Sequence, residues 1–257
     1  MRSFDDNRIR INFRTLAGIA ATTLSALTVN VAWAETQSVD YIGEAYDLEQ
    51  PDKLLYREQH SLSQRRHNDG SVTPISRRVE YFSADGELIA EKTNQYRGLA
   101  TQPDFILKDL RHNYAEQAEQ LADGWRLTLK EDGASESRMI NDADYELVID
   151  AGFDDFIRKH WDALLKGQTV PFSFASVARQ TSVNFEVEAS NPERLQQPLK
   201  ITMTLRSSLL SWLLDPIQLD YQRSTRRLLR YRGLSNLQDN KQKGQQVDIR
   251  YRYFDDK

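Results

Sequence analysis

From about residue 35 onward, one pattern recurs along this chain: apolar and polar side chains alternate every second residue. Leu199, Ile201, Met203 and Leu205 fall on one side, with Lys200, Thr202 and Thr204 on the other. Val183, Phe185 and Val187 oppose Asn184, Glu186 and Glu188, and Trp125, Leu127 and Leu129 oppose Arg126, Thr128 and Lys130. Near the C-terminus Val247, Ile249, Tyr251 and Tyr253 oppose Asp248, Arg250 and Arg252. Successive side chains of a strand point to opposite faces, so this period predicts antiparallel sheet with one buried and one wet face.

Turn chemistry separates the strands. Ser83-Ala84-Asp85-Gly86 marks a hairpin, and Asp132-Gly133, Asn191-Pro192 and Ser224-Thr225 mark further breaks. These signals predict about ten to twelve strands. No internal repeat and no Pro/Gly/Ser-rich linker divides residues 35–257, which read as one domain.

Two segments keep helical rather than strand spacing. In 153–166, Phe153, Phe156, Ile157, Trp161, Leu164 and Leu165 form one stripe, with Asp154 and Asp155 in the first turn and Gly167 placed to end the helix. A shorter apolar helix is expected over 208–214, stopped by Asp215-Pro216. Each large side chain on the first stripe gains roughly 1.5–3 kcal/mol on burial, so that helix must lie on the apolar face of the sheet. The expected fold is therefore mainly β: a single curled antiparallel sheet, a half-open barrel, around one or two helices.

The first 34 residues differ in kind. Arg2, Arg8, Arg10 and Arg14 form a basic start diluted by Asp5 and Asp6, and no charge occurs from Leu16 to Ala34. Ala32-Trp33-Ala34 has the small-x-small pattern of a signal-peptidase site, which predicts cleavage after Ala34. Thr22, Thr23, Ser25, Thr28 and Asn30 make the stretch a poor membrane span, so no stable transmembrane segment is expected after cleavage. The chain has no cysteine. That removes disulfides, thiolate nucleophiles and Cys-ligated metals, and it favours a bacterial periplasm over a eukaryotic secretory route. An isoelectric point near 5.7 gives no support for nucleic-acid binding.

Leader, curled sheet and plugging helix together resemble the periplasmic half-barrels typified by the outer-membrane lipoprotein carriers. The hairpin formed by Ile217–Tyr221 and Arg227–Asn236 is similar to one that ends uncharacterised exported bacterial proteins. The resemblance implies a concave apolar cleft; it carries over no functional residue.

Candidate sites are few. Tyr56, Glu58 and His60 share one face of a strand, and a carboxylate and an imidazole so placed can pass a proton. With Lys92 they are the candidates for a hydrolase-like activity, against the plainer reading of a wet sheet rim. Phe156, Trp161, Leu209, Trp212 and Leu213 are the candidate lining or lip of a cleft for a lipid-like ligand. Arg226, Arg230, Arg232, Arg250 and Arg252 form a basic C-terminal face, read either as salt-bridged to glutamates of adjoining strands or as a docking patch for anions or an envelope protein. His60, His67, His112 and His160 have no metal-ligand spacing, and no glycine-rich nucleotide loop or Gly-x-Ser-x-Gly elbow occurs. No cofactor or metal is expected. A non-enzymatic periplasmic protein that binds a hydrophobic ligand is the leading expectation, with an envelope assembly factor and a hydrolase as alternatives.

Overall fold

The computed structural model describes residues 39–206 and 215–254. The leader read over 1–34 and the helix read over 208–214, with Leu209, Trp212 and Leu213, lie outside the described residues. Among the described residues there are fifteen strands, of which the first nine are β1 Tyr41–Asp47, β2 Leu54–Arg66, β3 Val72–Ser83, β4 Leu88–Gln95, β5 Asp104–Asp109, β6 Tyr114–Leu121, β7 Gly124–Glu131, β8 Ala134–Ile140 and β9 Leu147–Val148. Helices α1 Gly152–Lys159 and α2 Trp161–Leu165 follow, and then β10 Val170–Ser176, β11 Thr181–Ala189, β12 Leu199–Leu205, β13 Ile217–Tyr221, β14 Leu228–Gln238 and β15 Gly244–Tyr253. The architecture is mainly β, as the alternation predicts. The strand number exceeds the expected range because polar strands such as β6 and β8 carry little apolar alternation.

All fifteen strands belong to one sheet, ordered from β8 down to β1, then β15 down to β9. Sequence neighbours are therefore sheet neighbours everywhere except at β8 and β9, which are the two free edges. Every pairing is antiparallel except β9 with β10. Laid flat at about 4.8 Å per strand, such a sheet would be roughly 70 Å wide. Yet residues 141–146 join its two edges, and six residues reach at most about 20 Å. The sheet must curl until its edges nearly meet. It remains unclosed, and hydrogen bonds from the joining loop bridge toward the far edge: Asn184 Nδ2 donates to Asp144 at 2.6 Å, and the Tyr145 N–H to Ser173 Oγ at 3.2 Å.

Turn residues act as their chemistry requires. Asp132 and Gly133 both take positive φ (49° and 82°) in the two-residue turn between β7 and β8, and Gly167 (φ 72°) ends α2. The β13–β14 hairpin forms with Leu219 opposite Tyr231.

Eight strands suffice to fill a barrel with side chains alone, whereas fifteen enclose a wide interior. The helices occupy one side of it. Phe156, Ile157, Trp161 and Leu164 bury themselves among Phe172, Val187, Leu199, Ile201, Met203, Leu219 and Tyr221 of β10–β13. The expected single helix over 153–166 is in fact two. The backbone leaves helical geometry at His160 (φ −98°, ψ 17°), where Glu146 draws in both Lys159 (2.7 Å) and His160 (3.3 Å). Gly152 lets α1 begin directly against the Thr101 backbone, where a Cβ would collide with the carbonyl.

Candidate functional site

What the helices leave unfilled is a cavity of about 420 Å³. Its lining includes the exposed residues Arg179, Asp215, Asn236 and Gly244, so it opens at the barrel end where β10, β12 and β14 finish. Just inside lie Phe174, Val183, Phe185, Met203, Leu205 and Ile217. At the other end Phe153 and Asp154 of α1 form part of the lining, together with polar groups from β2 to β6.

Strand register explains those polar groups. One row across the inner face runs Tyr253, Tyr41, His60, Val79, Lys92, Leu107, Glu116, each directly opposite the next. His60, Lys92 and Glu116 thus sit at every second strand of a single layer. Glu58 and Tyr114 belong to the adjacent row, and Arg77 to the row on the other side.

Glu58 and His60 are 4% and 7% exposed, and Glu58 Oε2 lies 2.9 Å from His60 Nε2. Tyr41 stacks on the imidazole at 4.1 Å between centroids, and Tyr251 meets it edge-on at 5.9 Å. Gly43 makes room for this arrangement: a Cβ there would lie 2.8 Å from the Tyr251 ring and 3.0 Å from Glu58 Oε2. Burial lowers the His60 pKa despite the Glu58 hydrogen bond, which favours the neutral ring at neutral pH. Its Nδ1 is buried without a partner among the described residues.

Lys92 Nζ pairs with Asp150 at 3.1 Å, and Asn94 Nδ2 donates to the other Asp150 oxygen at 2.8 Å. Burial alone would raise the Asp150 pKa, but Lys92 and Asn94 hold it below the ordinary value. Asp150 also takes φ 41°, a left-handed conformation that aspartate tolerates better than most residues. On the same layer, burial pushes the Glu116 carboxyl up to about 7, against the opposing hydrogen bond from the Tyr114 hydroxyl.

Arg77 and Asp154 meet across the interior, from β3 to α1, at 3.8 Å. Asp154 is already held by Arg158 and by the Tyr221 hydroxyl (2.9 Å), and Arg77 Nε is buried without an acceptor among the described residues.

The structure therefore brings Glu58, His60 and Lys92 to one cavity rather than to a wet rim. Phe156 and Trp161 are placed differently from the expectation. They are 1% and 3% exposed, absent from the cavity lining, and packed against Phe172 and Tyr221 because the stripe's most buried positions face the β10–β13 wall. Phe153, the stripe's first residue, is the one that reaches the cavity.

The basic face also needs correction. Arg230 and Arg250 are directly opposite, and among the described residues the countercharge they share is Asp248 of β15 itself rather than a glutamate of a neighbouring strand. Asp248 accepts from Arg230 at 2.5 and 2.6 Å and from Arg250 at 3.1 and 3.2 Å. Arg250 also lies over the Tyr46 ring (4.3 Å) and Arg252 over Phe254 (5.9 Å), while Arg232 faces Asp248 in register. Arg226 precedes β14, in a left-handed turn (φ 55°), near Asp162 (3.8 Å) and over Trp161 (5.4 Å), so it does not share the strand face.

Arg77, Asp150, Glu116, Tyr114 and Tyr41 were not singled out from sequence. Arg77 carried a usable signal, since it is in phase with the inward-facing Val79 and Tyr81; Asp150, in a loop, carried none.

No family model matches the chain, and no curated protein matches it. Among solved structures it is similar to the β-barrel-like protein of domain of unknown function DUF1849 from Brucella abortus. That likeness has a TM-score of 0.43 and 8% identity, covering 85% of this chain and 99% of the other.

Proposed function

We propose that this chain is a binding protein of the bacterial cell envelope that takes an apolar molecule into the cavity its helices leave inside the curled sheet. The single observation that supports the reading is the lining, in which Phe174, Phe185, Met203 and Leu205 form an apolar zone and the ionisable groups Glu58, His60, Lys92 and Glu116 gather on β2–β6. About 420 Å³ is far more than the voids left in packed interiors and lies within the range of small-molecule sites. An amphipathic ligand would bury its chain against Phe174, Phe185, Met203 and Leu205 and bring its polar end to the inner groups. Native mass spectrometry of gently purified protein tests this, with a co-purifying molecule expected. Val183→Trp, which fills the neck, should abolish its retention. A ligand-free protein that also fails to take up an environment-sensitive apolar dye would overturn the proposal.

The Glu58–His60 pair favours a second reading, in which the same cavity holds an ester and His60 Nδ1 activates water for its hydrolysis. Acyl-ester turnover that disappears in His60→Gln, at unchanged thermal stability, is the expected result of that reading.

A further inference from the structure

Two unpaired polar atoms belong to neighbouring side chains of the cavity lining. Among the described residues His60 Nδ1 and Arg77 Nε are both buried and without a partner, where nearly every buried polar group should have one. His60 lies opposite Val79, and Arg77 is two residues along the same strand on the same face. Such diagonal neighbours are about 7–8 Å apart at Cα, within reach of one small planar group between their side chains.

Their hydrogen-bonding characters differ. The Glu58 carboxylate accepts from Nε2–H, which leaves Nδ1 of the neutral ring as a lone-pair acceptor. Arg77 Nε can only donate. The missing partner must therefore offer one proton and one acceptor oxygen, at a place where the carboxylates near the guanidinium, Asp154 at 3.8 Å and Asp155 beyond it, are both shared with Arg158.

We propose that this is the seat of a carboxyl group, and that the cavity's ligand is an apolar carboxylic acid. One carboxyl oxygen accepts from Arg77 Nε, and the other shares the acid's proton with His60 Nδ1. The proton resides on the oxygen or on the imidazole, with Glu58 behind it. The inference rests on the cavity being a ligand site. A phosphate dianion fits less well, because Glu58, Asp150 and Asp154 also line the cavity and would repel its second charge. An ammonium group would face Arg77 and Lys92.

The test compares dodecanoic acid with dodecan-1-ol, methyl dodecanoate and dodecanamide by isothermal titration calorimetry on delipidated protein. The acid should bind about tenfold or more tighter than each of the others, as a charge-assisted contact requires. In buffers of different ionisation enthalpy, acid binding should take up about one proton and amide binding none. Arg77→Gln should bring the acid to the affinity of the alcohol, and His60→Gln should abolish the proton uptake. If a variant does not fold, the His60 Nδ1 nitrogen-15 resonance of the wild-type protein gives the same answer, moving with the acid and not with the alcohol. Equal affinity for acid, alcohol and amide overturns the carboxyl seat while leaving the apolar site standing, and would mean that water occupies the gap. Binding of none of the four overturns both.

Discussion

The two walls of this curled sheet differ in what they point inward. The β10–β13 wall presents Phe172, Val187, Leu199, Ile201 and Leu219 to the helices. The β2–β6 wall presents Glu58, His60, Arg77, Lys92 and Glu116 to the cavity. A wall covered by an amphipathic helix can be entirely apolar. A wall that faces an unfilled volume carries polar groups, which must then satisfy one another. If the stability of the molecule resides in the covered wall, truncating that wall should cost most. Phe156→Ala removes a ring packed 4.9 Å from Phe172 and should destabilise by about 3–5 kcal/mol in chemical denaturation. A loss below 1 kcal/mol would mean that the helix adds little to the fold.

The polar wall is held by pairs, and their cost appears when one partner goes. Lys92→Met leaves the Asp150 carboxylate buried with only the uncharged donors Asn94 and the Ala151 N–H, and should cost about 3 kcal/mol. Adding Asp150→Asn should recover most of it, since removing both charges removes the desolvation problem that each creates for the other. Denaturation of the single and double variants separates the cases. Additive losses would show that Lys92 and Asp150 act independently, and that this wall owes its order to something other than pairing.

Much of the first wall was legible in the sequence and less of the second. Periodicity placed Leu199, Ile201, Met203 and Leu205 on one face, and the helical stripe had to cover an apolar face of the sheet. Periodicity also put Glu58 and His60 on the face shared with Tyr56. Two-residue spacing gives a side without saying what lies there: a rim and a cavity wall have the same parity. The cavity itself depends on the sheet curling through all fifteen strands and on where the helices stop. Both follow from long-range register, which no local window contains. Asp150 shows the limit most clearly, because a loop residue becomes the partner of Lys92 only once β4 and the entry to α1 are brought together. On the outer face, parity grouped Arg230 with Arg250. It did not identify Asp248, in phase with Arg250, as the group between them.

The smallest expected effect has the opposite sign and sharpens the contrast between the walls. Glu116 is held near the protonated form, its carboxyl raised from 4.5 to about 7 by burial, with the Tyr114 hydroxyl donating to it. Below about pH 4 the folded and unfolded chains both carry this proton, and the group is neutral to stability. Between about pH 4.5 and 7 the unfolded chain releases it while the folded chain retains it, so stability declines as pH rises across that window. Glu116→Gln keeps an acceptor for Tyr114 and removes the titration. The variant should match the wild type near pH 4 and exceed it above pH 7 by an amount on the order of 1–3 kcal/mol, measured by urea denaturation at each pH. No substitution of an apolar side chain in the covered wall should show this pH signature, because no proton is gained or lost there. A constant offset between Glu116→Gln and wild type at all pH values would mean that the carboxyl titrates as in water, and that this part of the β2–β6 wall is wetter than the structure shows.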